Sequence, residues 1–170
     1  AISLGGFPYP FTLNNSEIIF YYASENEYQI VKAEYTTECF MASDALRNCF
    51  ADDDQRWNGY LCPYNEERDQ KKLSKFSNQL EFGACLRLSE VYLNRAEAYA
   101  GKGDKDKALQ DLKTIREKRL KVYEEVQAVT KEDVIRRVRE ERRRELSFEF
   151  HRWFDLRRWD RPRIEHTFTP

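Results

Sequence analysis

The chain has 170 residues, enough for one ordinary domain that buries about two thirds of its unfolded surface. Its 29 lysines and arginines against 30 acids leave a net charge of −1, which excludes nucleic-acid binding driven by overall charge. No apolar run approaches the ~20 residues of a membrane helix, and the opening AISLGGFPYP lacks the basic and apolar regions of a signal peptide, so a soluble chain is expected. It starts without Met and is expected to be processed or a piece of something longer.

Residues 1 to about 40 alternate loosely, as in Ile18, Phe20, Tyr22 and then Tyr28, Ile30, broken by Gly5-Gly6, Pro8, Pro10 and Asn14-Asn15. That pattern predicts short extended segments and loops. Ser43 to Phe50 opens on a good cap and predicts a short helix. The run Asp52-Asp53-Asp54 lacks the alternating spacing of a calcium loop, so a structural turn built on Asp54 and Arg56 is expected instead of a metal site. Cys39, Cys49, Cys62 and Cys85 form no C-x-x-C pair and lie far in sequence from His151 and His166, which argues against zinc. Free, mostly buried thiols are expected, because a chain of this size does not need disulfide staples.

Trp57, Tyr60 and Tyr64 sit among Asn58, Gly59 and Asn65. A sugar stacks its C–H face on a ring while its hydroxyls seek amide partners, so these three are the candidate ligand-binding residues. The alternative is that the rings pack beneath the loop.

Leu86 to Leu120 predicts a helical hairpin. Leu88, Val91, Tyr92, Ala96 and Tyr99 repeat at three and four; Gly101 and Gly103 stop the first helix, and Asp104 caps a second carrying Ala108, Leu109, Leu112 and Ile115. Ala96, Tyr99, Gly103, Ala108 and Leu112 match the spacing of a tetratricopeptide repeat, in which alanine at the crossing lets two helices approach closely. One repeat cannot bury its own face, so a stack is expected, completed either by the helix from Thr130 or by further chain. Lys121 to Val129 reads as a linker.

Thr130 and Asp133 form a capping-box pattern that predicts a helix start. Val134, Ile135, Val138, Leu146 and Phe148 follow at roughly helical spacing, with Arg142 and Glu145 on or beside the same stripe. Charges on a core-facing stripe need partners, and the candidates for a structural ion-pair core are Glu141, Arg142, Glu145, Arg152, Asp155 and Arg157. The alternative is a solvated helix with i,i+4 pairs worth a few tenths of a kcal/mol each. Phe148, Phe150, Trp153, Phe154 and Trp159, crowded into twelve residues, argue against it, since such rings rarely stay exposed together outside an interface.

The run ERRRELSFEFHRWFDLRRW, Glu141 to Trp159, resembles the signature near the C-terminus of the SusD/RagB family of outer-membrane nutrient-binding lipoproteins. LRLSEVYLNRAEAYA, Leu86 to Ala100, resembles a second signature upstream of it. Asn14 to Phe20 and the Ser43, Leu46, Asp54, Arg56 pattern resemble weaker family segments. The resemblance implies a mainly α fold: a tetratricopeptide-like helical hairpin stack with irregular loops and short extended segments near the N-terminus. One domain is expected over 1–170, loop-rich over 1–85 and with a helical core over 86–159.

The resemblance further implies surface exposure on the outer membrane through a lipid anchor absent from this chain. It also implies non-catalytic binding of oligosaccharide or polysaccharide, partnership with a SusC-like TonB-dependent transporter, and no cofactor. Under it, Arg142, Glu145, Arg152, Trp153, Asp155 and Arg157 are structural, holding the last long helix to the repeat. A second reading, from the hairpin alone, is a protein-interaction scaffold with a groove for a peptide or helix. Nucleic-acid binding by Arg136 to Arg144 is disfavoured by the interleaved Glu140 and Glu141. Glycoside cleavage would require two carboxyl groups about 5–10 Å apart across one cleft, and neither histidine sits in a nucleophile–base pattern.

Overall fold

The computed structural model describes residues 15–21, 42–65, 70–73, 75, 85–159 and 161. The extended segments expected around Tyr22, Tyr28 and Ile30, together with Cys39 and the side chains of Tyr64, Cys62 and Cys85, lie outside the described residues. In chain order the elements are β1 (Ile18–Tyr21), α1 (Asp44–Arg47), α2 (Gln55–Tyr60), β2 (Leu61–Asn65), β3 (Gln70–Leu73) and β4 (Cys85–Arg87). The four longer helical elements follow: α3 (Leu88–Lys102), α4 (Lys105–Arg116), α5 (Lys131–Glu145) and α6 (His151–Arg158). The described part is mainly helical, as expected.

The hairpin forms where local chemistry places it. Gly103 ends α3 at φ +86°, its N–H donating to Ala100 O and that of Asp104 to Tyr99 O, both at 3.0 Å. Its left-handed backbone lets the chain reverse while the last carbonyls of α3 keep donors. The Asp104 side chain then accepts from Lys107 N and starts α4. A Cβ at Gly103 would meet no atom within 4 Å, so only backbone strain opposes a side chain there. Gly103→Ala should therefore cost roughly 1 kcal/mol and lower the melting temperature by about 2–4 °C, read by thermal denaturation.

Ala96 and Ala100 on α3 and Ala108 on α4 are fully buried at the crossing, and Leu93, Leu112 and Ile115 fill the remaining space. The helix from Thr130 completes the layer. Thr130 Oγ1 accepts from Asp133 N and the Asp133 carboxylate accepts from Thr130 N, the reciprocal pair of a capping box. Val134 and Val138 of α5, with Leu146 just beyond it, close this core.

A second, smaller core forms around α2. Phe50, Trp57, Tyr60 and Leu61 are buried together, with Leu46 and Phe148 against them. Gln55 N donates to Arg119 O and Lys121 N to Asp53 O, so the α2 turn is tied to the end of the hairpin. Two antiparallel ribbons complete the described architecture, β1 with β4 and β2 with β3. The β1–β4 register, Ile18↔Arg87 and Phe20↔Leu86, places Glu17 and Arg87 at the foot of α3. Between α5 and α6 the backbone turns sharply, with Phe148 and Phe150 both left-handed. A large side chain at positive φ is strained by about 1–2 kcal/mol. Here the turn is held by Lys75 Nζ, which donates to Glu145 O and Ser147 O, and by the Phe148 ring packed on the second core.

Candidate functional site

On α5 the apolar stripe of Val134 and Val138 continues at the same helical spacing into Glu141 and Glu145, both fully buried. Three arginines and a tyrosine from distant parts of the chain meet it. Arg119, just past α4, donates Nε to Glu145 Oε2 at 2.9 Å and Nη2 to Oε1 at 2.8 Å. Arg87, at the end of β4, donates Nη1 to Glu145 Oε1 at 3.1 Å, and Arg56 of α2 donates Nη1 to Oε2 at 3.1 Å. Tyr60 Oη donates to the same carboxylate at 3.3 Å. Arg56, Arg87 and Arg119 are themselves fully enclosed.

The neighbouring acids extend this centre. Glu141 accepts from Arg56, from Arg144 Nη2 at 2.8 Å and from Arg116 Nη1 at 3.1 Å. Asp54 caps α2 and takes Arg56 Nε and Nη2 at 2.9 and 2.7 Å, the structural turn read from the sequence. Glu149 accepts from Arg87 and Lys75, and Glu17 accepts from Arg119 Nη2 at 3.2 Å. Each charge thus has several charge-assisted hydrogen bonds, the condition under which ion pairs are tolerated away from water.

Burial pushes these carboxyls up, and the arginines more than reverse it. Arg56, Arg144 and Arg116 hold Glu141 at about 2, and Arg119, Arg87 and Arg56 hold Glu145 well below the usual carboxylate range. Glu17 goes the other way, raised because burial outweighs Arg119 and Arg87 while Glu145 repels it. Arg119 is thus committed chiefly to Glu145. Burial also lowers Lys75 to about 8 against the pull of Glu149.

A second set joins α6 to the stack. Arg142 Nε donates to both oxygens of Asp155 at 2.9 and 2.8 Å, and its Nη1 to Asn94 Oδ1 at 2.6 Å. Arg158 forks onto Glu97, which also accepts from Trp159 Nε1 at 2.7 Å. His151 Nε2 lies 3.7 Å from Glu90. The sequence of contacts, His151 to Glu90 and Arg158 to Glu97, lays α6 parallel to α3.

Of the expected ion-pair residues, Glu141, Arg142, Glu145 and Asp155 are buried and paired. Arg152 and Arg157 are exposed and outside the buried network. The reason is helical period: 151, 155 and 158 of α6 make the polar contacts to the stack, while 152 falls on the neighbouring stripe that lines an open cleft beside α5 and 157 lies off both. Trp57 and Tyr60 also require correction, at 8% and 1% exposure. Trp57 packs on Phe50 with ring centroids 5.6 Å apart, and Tyr60 lies under Lys75 Nζ at 4.1 Å, so neither presents an open face to a sugar. Among the described residues, rings that do face solvent include Phe20 on β1 and, around α6, Phe150, Trp153 and Phe154, at 50%, 61% and 64% exposure. Sequence reasoning missed Glu17, Lys75, Arg87, Arg119 and Glu149; among the buried cations described, Arg56 carried a signal in its spacing from Asp54 and Arg142 in its place on the apolar stripe of α5.

Between α5 and α6 runs a cleft of about 610 Å³, floored by Ile135, Leu156 and Trp159 and rimmed by arginines including Arg143 and Arg152. Among the described residues no group of three or more His, Cys, Asp or Glu side chains could hold a metal ion, and no helix is long and apolar enough to cross a membrane.

The model of the SusD family matches residues 11–167. The fold is similar to a SusD-like carbohydrate-binding protein from Bacteroides vulgatus, with 25% identity and a TM-score of 0.65 over 85% of this chain and 35% of that one. A SusD superfamily protein from the same organism shares the fold at 20% identity and a TM-score of 0.52, covering 86% of this chain and 41% of that one. The matched part of this chain therefore covers less than half the length of either. None of the curated proteins matches.

Proposed function

Because the chain belongs to the SusD family, we propose that it forms part of a non-catalytic glycan-binding protein at the cell surface, with a TonB-dependent outer-membrane transporter as partner. The observation that carries this reading is the family match over nearly the whole chain, joined to the fold shared with a SusD-like carbohydrate-binding protein. The lipid-anchored, surface-exposed location follows from the same family membership.

The chemistry of the core supports binding over catalysis. A glycosidase needs one carboxyl group protonated near neutral pH and a second ionised across a cleft. Glu141, held at about 2, and Glu145, held lower than usual and enclosed, are tied to arginines and hold the stack together. Protein docking is the second reading, supported by the exposed Phe150, Trp153 and Phe154, since aromatic and arginine side chains are enriched in interfaces.

The test is retention of the full chain on a panel of immobilised polysaccharides, with displacement by the matching free oligosaccharide. Retention on at least one glycan is expected. Retention on peptides and on no glycan would replace this reading with the scaffold one.

A further inference from the structure

The charges at the centre of the molecule neutralise one another, but those along the α5–α6 cleft do not. Arg143 and Arg152 line the cleft together, and among the described residues neither has a carboxylate within ion-pair distance. Two acids, Glu132 and Glu140, line the cleft against four arginines, Arg136, Arg139, Arg143 and Arg152. Glu140 is already engaged by Arg136 and Arg137, at 3.1 and 3.3 Å. Asp155, three residues from Arg152, is turned inward and taken by Arg142 and Arg158. The two guanidiniums therefore face the same concave space, and burial together with Arg143 disfavours the charge on Arg152 more than Asp155 supports it.

We propose that this cleft binds an acidic glycan, its sulfate or uronate group held between Arg143 and Arg152 and a sugar ring resting on Ile135 and Leu156, since the Trp159 ring is already covered by Arg139 and Arg158 at 4.7 and 4.9 Å. Guanidinium groups match planar or tetrahedral oxyanions with paired N–H donors, and two of them around one anion remove the like-charge repulsion as the ligand enters. The apolar floor suits the C–H face of a pyranose, and the cleft volume lies within the ~300–1,000 Å³ of small-ligand sites. The inference rests on the glycan-binding reading and deepens it by naming the ligand class and the site. An acidic segment of a protein partner shares the anionic chemistry but has no use for a ring-sized apolar floor beside the charge.

The experiment is affinity electrophoresis of the full chain in gels containing polygalacturonate, dextran sulfate, neutral dextran or polyglutamate at physiological salt. The wild-type chain should be retarded by polygalacturonate or dextran sulfate, and which of the two retards it more separates the carboxylate from the sulfate source. Arg143→Ser with Arg152→Ser should weaken that retardation about tenfold or more. Lys118→Ser with Lys121→Ser, which removes the same charge from exposed positions outside the cleft, should leave it nearly intact. Superimposable melting curves show that both variants are folded. Equal loss in the two double variants, or tighter binding of polyglutamate than of both acidic polysaccharides, overturns the proposal. Binding of a neutral glycan alone overturns it too and leaves glycan binding standing, whereas binding of no glycan removes both.

Discussion

Replacing Glu145 by alanine is expected to lower stability by about 3–5 kcal/mol, the cost of stripping the counter-ion from buried charges. The side chain is fully enclosed and neutralises Arg56, Arg87 and Arg119, each of which is also withdrawn from water. Removing a surface partner would release a cation to solvent; here three guanidiniums would lose an acceptor in a place solvent does not reach. For a chain of this length the loss corresponds to a drop of roughly 10–15 °C in melting temperature. Glu145→Gln preserves volume and should recover packing without charge. If it destabilises nearly as much as alanine, the charge is what matters; if it is close to wild type, shape was sufficient.

Acid should unfold the protein through the same groups, and the window follows from the shifts. Glu141 sits at about 2 in the folded chain against an ordinary value of 4.5. Its folded value is depressed, so its contribution is fully present above about pH 4.5 and is lost as pH falls towards 2. The difference corresponds to about 3 kcal/mol for Glu141. Glu145 acts in the same direction. Glu17, raised by burial, has the opposite sign and softens the change above pH 4.5. Urea titrations from pH 7 to pH 2 should show stability nearly level to about pH 5 and falling steeply below it. Because the responsible pairs are enclosed, added salt should shift this profile little, whereas exposed pairs such as Arg136–Glu140 are screened.

The helices were readable because their signals are local. Thr130 and Asp133 answer each other three residues apart, Gly103 and Asp104 stop one helix and start the next, and alanines mark the crossing. The partners of the central carboxylate were not readable. Arg119 and Arg87 lie 26 and 58 residues from Glu145 in sequence, and Arg119 meets Glu17 across 102 residues. No periodicity links such positions; only the packing of hairpin, ribbon and final helix brings them together.

The two readings that needed correction failed for opposite reasons. Trp57 and Tyr60, set among Asn58 and Gly59, looked like a polar loop, but QRWNGY winds into a short helix that turns Arg56, Trp57 and Tyr60 inward together. Arg152 and Arg157 were grouped with Asp155 as one charged set, yet the period of a short surface helix sends only Asp155 towards the stack. The proposed ligand surface accordingly lies away from α2, in the cleft between α5 and α6.

The central claim is that Glu145 and the arginines around it act as one buried unit that joins the hairpin to the last long helix. Its most direct test is a double-mutant cycle of Glu145→Gln and Arg119→Met, followed by urea denaturation. A coupling energy of about 2 kcal/mol or more is predicted, with the double variant more stable than the two single losses would sum to. Additivity within about 0.5 kcal/mol would contradict the account, because it would mean that the two side chains do not share one buried charge balance.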